Sequence, residues 1–192
     1  ISFLSLLQSK RSVNSIVNKE IEMENNIWII ADDIYGRLVY NGNEFVPISS
    51  LSETIRKQTI VINGVSKAYA MTGWRVGYAV GDPEIIAAMS KLTGQTTSNL
   101  TSVSQYAAIE ALTGPQDSVD IMRQAFEERL NTIYPLLCEV PGFEVVKPQG
   151  AFYLFPNVKK AMEMKGYTDV TEFTTAILEE VGLALITGAG FG

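Results

Sequence analysis

Histidine is missing from this sequence altogether. Its absence removes Ser-His-Asp and Cys-His nucleophile systems, the HExxH metal signature and most zinc sites. Cysteine occurs once, at Cys138, so no internal disulfide can form, which fits a reducing, cytoplasmic setting. Basic residues are outnumbered, 15 Lys and Arg against 21 Asp and Glu, for a net charge of −6. That balance gives no electrostatic case for nucleic acid or for an anionic membrane as partner. No apolar run approaches the roughly 18 residues of a membrane span. The opening ISFLSLL has no basic residue before it and no small-residue cleavage signal after it, and is not read as a signal peptide. Internal repeats and low-complexity segments are also lacking. Chemistry must therefore rest on Lys, Arg, Tyr, Asp and Glu, or on a borrowed cofactor; no metal site is expected.

What is present reads as a globular α/β chain. Hydrophobic residues make up 46% and charged residues 19%, outside the disordered range. With 192 residues, roughly 70% of the unfolded surface can be buried, enough for a real core. Val13, Ile16, Val17 and Ile21 recur at helical spacing over 12–24. IWIIA, TIVIN and RVGYAV (27–31, 59–63 and 75–80) are short apolar runs expected to be strands, the first two buried on both faces. NGNEFVP is expected as loop and LSETIRKQ as a short helix. Beyond Gly81 the chain turns helical. DPEIIAAMSKL has Asp82 as N-cap and Pro83 at the first helical position. TSVSQYAAIEAL ends at TGP. A long helix from Asp117 aligns Val119, Met122, Phe126, Leu130, Ile133 and Leu137, with Pro135 expected to bend or end it near Tyr134. FEVV and AFYLF, split by KPQG, are expected as a hairpin. DVTEFTTAILEEVG is expected as a helix capped by Asp169 and ended by Gly182, and LALIT as a last strand. The domain boundary falls in the long helix, giving units 1–125 and 126–192.

Residues 63–78, NGVSKAYAMTGWRVGY, set Lys67 and Arg75 in an apolar stretch that has no acid. Residues 33–58 are long enough for a right-handed crossover, so the first two strands can be parallel. The link 64–74 has no helical periodicity and suits an antiparallel return. Asp32 and Asp33 then sit at the C-terminal end of the first strand. Lys67 lies just past the end of the second, and Arg75 opens the third at the same edge. Ligands of open α/β sheets bind at that edge. One candidate ligand for an acid, a phenol, a lysine and an arginine is a pyridine ring carrying an aldehyde and a phosphate. A carboxylate would keep the ring nitrogen protonated, a phenol would tune the ring hydroxyl, a lysine would form an imine and an arginine would clamp the phosphate. Each residue also has an ordinary reading. Lys67 could be solvated, Arg75 could pair with Asp82 or Glu84, Asp32 could cap its turn, and Tyr35 could be a half-buried core aromatic. Their joint occurrence at one rim favours the ligand.

ADDIYGRLVY followed by VINGVSKAYAMTGWRVGYAVGDPE resembles the pyridoxal-phosphate-dependent class I (fold type I) aminotransferases, nearest their bacterial aspartate aminotransferase branch. KPQGAFYLFPN and LALITGAGFG extend the resemblance, which runs from about Trp28 to Gly192. It implies a large domain with a mostly parallel sheet and one antiparallel strand, 1–125 being its C-terminal half. It implies part of a small α+β domain over 126–192. It further implies pyridoxal 5′-phosphate as cofactor, amino acid and 2-oxo acid substrates, and a homodimer. Lys67 would be the Schiff-base lysine and proton carrier. Asp32, which stands before xxY, would face the pyridine nitrogen rather than Asp33. Tyr35 would bond the ring hydroxyl, Arg75 would hold the phosphate, and Ser66 would add a phosphate contact. Free lysine titrates at about 10.4, so the role requires a perturbed amine, and apolar flanks suit that.

The sequence also departs from the family. It has no Asn-Pro dipeptide, Gly64 stands where many relatives have serine, and residues 1–20 do not resemble the family. The family's glycine-rich phosphate loop, the aromatic that stacks on the ring and the arginine for the substrate carboxylate are not found, so the chain looks truncated at both ends. Aminotransfer, a catalytically inert remnant with weak cofactor binding, and a related lyase all remain open. A Ser66–Lys67 hydrolase dyad ranks last, since adjacent strand-end residues point apart. Poor turnover by the isolated chain is expected.

Overall fold

The structure is a computed structural model, and it describes residues 28–191. The helix expected over 12–24 and the first residue of the first strand lie outside that range. The chain divides into two compact units. One runs to Glu127 and takes in Gln149–Ala151; the other comprises Glu128–Pro148 and the chain from Phe152 onward.

The first unit is built on a three-stranded sheet in the order β1 (Ile29–Asp32), β2 (Thr59–Gly64), β3 (Gly77–Val80). β1 and β2 are parallel, with Ile29 level with Thr59 and Asp32 level with Ile62. β3 returns antiparallel, with Gly64 opposite Gly77. Connection length therefore set both directions as expected. The crossover carries helix α1 (Glu53–Lys57), whose N-cap Ser52 accepts from the Ile55 amide. Its buried Ile55 packs on Ile29, Ile48 and Leu51. The burial of β1 is less complete than its apolar run suggested: Ala31 is buried, the two isoleucines are half-buried and Asp32 is exposed.

Three helices follow. α2 (Pro83–Thr96) starts as expected, with Asp82 Oδ1 accepting from the Glu84 amide at 2.9 Å. α3 (Ser102–Thr113) is capped by Thr101 and stops at Gly114. α4 (Asp117–Cys138) runs through Pro135, so of the two outcomes expected there the helix does not end near Tyr134. Proline removes one backbone bond, but the Glu139 amide still reaches the Pro135 carbonyl at 3.2 Å, so the last turn closes. Early in α4, Arg123 pairs with Glu127 at 2.7 Å, and the other Glu127 oxygen accepts from the Asn41 amide at 2.6 Å.

The FEVV/AFYLF hairpin does not form as strands. A single antiparallel bridge joins Glu144 to Asn157. Pro148 has no amide to give a ladder, and Ala151 sits at φ 58. Gly150 bridges Val39 instead, with Ala151 N donating to Leu38 O at 2.8 Å. LALIT is likewise not a strand: it has no ladder among the described residues, and Leu183, Leu185 and Ile186 are exposed. The second unit also holds α5 (Lys159–Lys165), which the sequence reading missed, and α6 (Val170–Val181). α6 has the expected Asp169 cap and left-handed Gly182. A methyl at Gly142 would lie 2.5 Å from Ala161 N, so glycine there lets α5 approach. No helix among the described residues is long and apolar enough to cross a membrane.

Candidate active site at the carboxyl edge of the sheet

The stretch between β2 and β3 explains its own apolar character. It leaves β2 at Gly64, turns through 65–70, makes one 3-10 turn at Thr72–Trp74 and rejoins the sheet at Gly77. Arg75 thus precedes β3 by two residues instead of opening it, and the link contains a helical turn its periodicity did not announce. Val65 and Val76 are buried against Ala108 of α3, with Tyr69, Met71 and Ala111 around them. The Tyr69 hydroxyl donates to Gln116 Oε1 at 2.9 Å. Gln116 Nε2 in turn donates to the carbonyls of Ala111 and Gly114, tying the end of α3 to this loop. The apolar neighbours of Lys67 therefore face α3, and Lys67 itself is left half-buried above them. Gln116 escaped sequence reasoning because 47 residues separate it from Tyr69 and no local pattern marks the pair.

Lys67 and Tyr35 are brought together: the ammonium lies 5.5 Å from the phenol ring centroid, within cation–π reach. Tyr35 stands in the turn that follows β1, and Asp32 is the last residue of that strand. Asp32 is exposed and its Oδ1 accepts from the Ile34 amide at 3.2 Å, so the ordinary turn-capping role also holds. Asp33 is half-buried, and its amide extends the ladder by donating to Ile62 O at 2.9 Å. Burial, and secondarily the neighbouring Asp32 charge, push the Asp33 carboxyl up to about 6. Of the two acids, Asp32 is the one open to a ligand. Ser66 is half-buried beside Lys67. Arg75 is exposed, its Nη1 donating to Thr72 O at 3.0 Å. Its backbone is left-handed, at φ 55 and ψ 46. Asp82, one acid weighed as a surface partner for Arg75, caps α2.

The ladder registers put the end of β1, the end of β2 and the start of β3 on one edge. An exposed carboxylate, a phenol, a half-buried amine, a hydroxyl and a guanidinium are offered from that edge. The carboxylate, phenol, amine and guanidinium suit the ring nitrogen, ring hydroxyl, aldehyde and phosphate of pyridoxal phosphate, and the hydroxyl is a further donor.

Comparison with known proteins identifies the family. The family model for aminotransferase class I and II matches residues 19–192. An asparagine–oxo-acid transaminase of Streptococcus mutans serotype c is 72% identical over 187 residues, which cover 97% of this chain and 47% of that protein. That span takes in most of the first 20 residues, whereas the family model begins at residue 19. An aspartate aminotransferase of Bacillus sp. strain YM-2 is 58% identical over 90% of this chain and 44% of its own length. Among solved structures, an aromatic aminotransferase from Pyrococcus horikoshii superposes with a TM-score of 0.85 at 31% identity, covering 98% of this chain and 48% of that one. The chain spans about half the length of the relatives it matches. The match over 19–192 settles the family: this chain is a member of the class I and II aminotransferases.

Proposed function

We propose that this chain carries the lysine-bearing rim of a pyridoxal-phosphate-dependent aminotransferase, which moves the amino group of aspartate to a 2-oxo acid such as 2-oxoglutarate. The observation that carries the reading is Lys67 held over the Tyr35 ring at the sheet edge where Asp32 ends β1. When bound, pyridoxal phosphate supplies an electron sink for the substrate α-carbon. Asp32 holds the pyridine nitrogen protonated. Tyr35 bonds the ring hydroxyl oxygen. Arg75 holds the phosphate through charge-assisted bonds, with Ser66 as a further donor. Lys67 would hold the aldehyde carbon until the substrate amine takes its place there, and the amine so released would move the proton at the substrate α-carbon. Residues 1–125 are assigned to the C-terminal half of a large domain and 126–192 to part of a small one. The protein is assigned to the cytoplasm, as one half of a homodimer.

Asparagine as amino donor is a second reading, favoured by the identity to the Streptococcus mutans transaminase. Side-by-side assays with aspartate and asparagine separate the two. The first test is attachment: the chain is incubated with pyridoxal phosphate, treated with borohydride and digested. Label is expected on the peptide holding Lys67 and is expected to vanish in Lys67→Ala. Label spread evenly over other lysines in both proteins would remove the assignment. Because positioning can supply about 7–11 kcal/mol of a barrier, turnover by the 192 residues alone is expected to be far below what attachment suggests.

A further inference from the structure

The turn that carries Lys67 is held at both ends. At its start Val65 N donates to the Val76 carbonyl oxygen at 3.3 Å, which ties it to the returning chain. Within it Tyr69 N donates to Val65 O and Ala70 N to Lys67 O, each at 3.3 Å, so 65–70 wind as a single turn with Lys67 in the middle. Ala70 ends that turn at φ 53. The far end depends on Tyr69. Its ring packs with the buried Val65, Val76 and Ala108, and its hydroxyl continues to Gln116 Oε1 at 2.9 Å.

Gln116 is committed on every side. Its Nε2 donates to Ala111 O at 3.0 Å and to Gly114 O at 2.8 Å, at the end of α3, where helix carbonyls run out of intrahelical partners. Its own carbonyl accepts from the amides of Val119 and Asp120, in the first turn of α4. Both side-chain amide hydrogens go to carbonyls, so the side-chain oxygen faces Tyr69 and the phenol is the donor. One residue thus joins the end of α3, the start of α4 and the lysine turn.

We propose that Gln116 is a positioning residue that acts through Tyr69 on Lys67. By holding the Tyr69 hydroxyl it fixes the exit of the lysine turn, as the Val76 carbonyl fixes its entry. Held at both ends, the turn keeps the Lys67 amine over the Tyr35 ring, 5.5 Å from its centroid, ready for the cofactor's aldehyde. Gln116 and Tyr69 make no cofactor contact in this role. Without their hydrogen bond the turn keeps its apolar packing, but its exit is free to move and Lys67 spends less time at the rim. The inference rests on the reading of this rim as a pyridoxal phosphate site.

The test reads where pyridoxal phosphate attaches on the whole 192-residue chain. A lysine amine condenses with the aldehyde and releases water, and borohydride then supplies the hydride that makes the bond permanent. Label at Lys67 is compared with label at the exposed Lys91 of α2 in the same digest, which cancels differences in concentration. Tyr69→Phe removes one oxygen and keeps the packed ring. It is expected to lower the ratio of Lys67 to Lys91 label about fivefold, the size of one neutral hydrogen bond, and Gln116→Leu to lower it at least as much. The double variant is expected to lose no more than Gln116→Leu alone, because the two residues act as one unit. A merely structural clasp would lower the melting temperature of Tyr69→Phe and leave the ratio unchanged. That result, or additive losses in the double variant, overturns the positioning role alone. A wild-type chain whose Lys67 labels no faster than Lys91 overturns the reading of the rim itself. Should Gln116→Leu fail to fold, Tyr69→Phe decides, with hydrogen exchange of the 65–70 amides as the second measurement. Exchange is expected to quicken as the label falls, and protection equal to the wild type overturns the role.

Discussion

At the scale of single residues, the two adjacent aspartates show how position divides one chemistry into two roles. Asp32 ends the strand in the open, whereas Asp33 turns inward, and burial lifts its carboxyl to about 6 from an ordinary 3.8. Between those values the folded chain keeps a proton that the unfolded chain has released. Asp33 therefore contributes stability that is fully present below 3.8 and is lost as pH rises through about 6. Asp33→Asn should remove that loss. The variant is expected to match the wild type in urea unfolding near pH 4. Near neutral pH it should be more stable by about 1 kcal/mol, a figure reduced for the solvent that screens a half-buried group. A difference that does not change with pH would show that Asp33 titrates normally.

At the scale of elements, local signals placed the helices whose starts have a chemical marker, and α5, which starts after Val158 with no side-chain cap, was missed. Asp82 with Pro83, Thr101, and Asp169 all stand where the first amides need acceptors. Pro135 lies inside α4, which continues to Cys138. Position 135 is exposed, so replacement there costs no core packing. Pro135→Ala should restore a backbone bond and raise stability by about 1–3 kcal/mol, seen as a higher melting temperature. A lower melting temperature would mean that the proline is part of the helix's required shape.

At the scale of the whole molecule, α3 has apolar residues on both its inward and its outward side. Ala108 faces the loop of Lys67, while Val103, Tyr106 and Ile109 are 69%, 75% and 56% exposed on its outward side. A helix with that pattern reads as one meant to be covered on both sides. Within the described sheet, β1 and β3 are edge strands, which adds open backbone groups. The chain by itself should bind a hydrophobic dye strongly and self-associate. Val103→Lys, Tyr106→Lys and Ile109→Lys together should lower dye fluorescence and shift the chain towards monomer in sedimentation. Unchanged behaviour of the triple variant would place the sticky surface elsewhere.

By itself the sequence determined the strand directions, the capped helix starts and the candidate rim, because connection length, capping chemistry and residue type are local properties of the chain. Asp32, Tyr35, Lys67 and Arg75 were legible for that reason, and the parallel and antiparallel pairings bring their segments to one edge. The hairpin and the last strand were not legible, because an apolar run becomes a strand only when another segment offers its backbone; Gly150 met Val39 instead. Only the tertiary structure decided that Gln116 anchors Tyr69, that Asp33 is pushed inward and that the Val76 carbonyl closes on Gly64. Each depends on atoms that meet across distant stretches of chain, and distance in space is a quantity the order of residues does not carry.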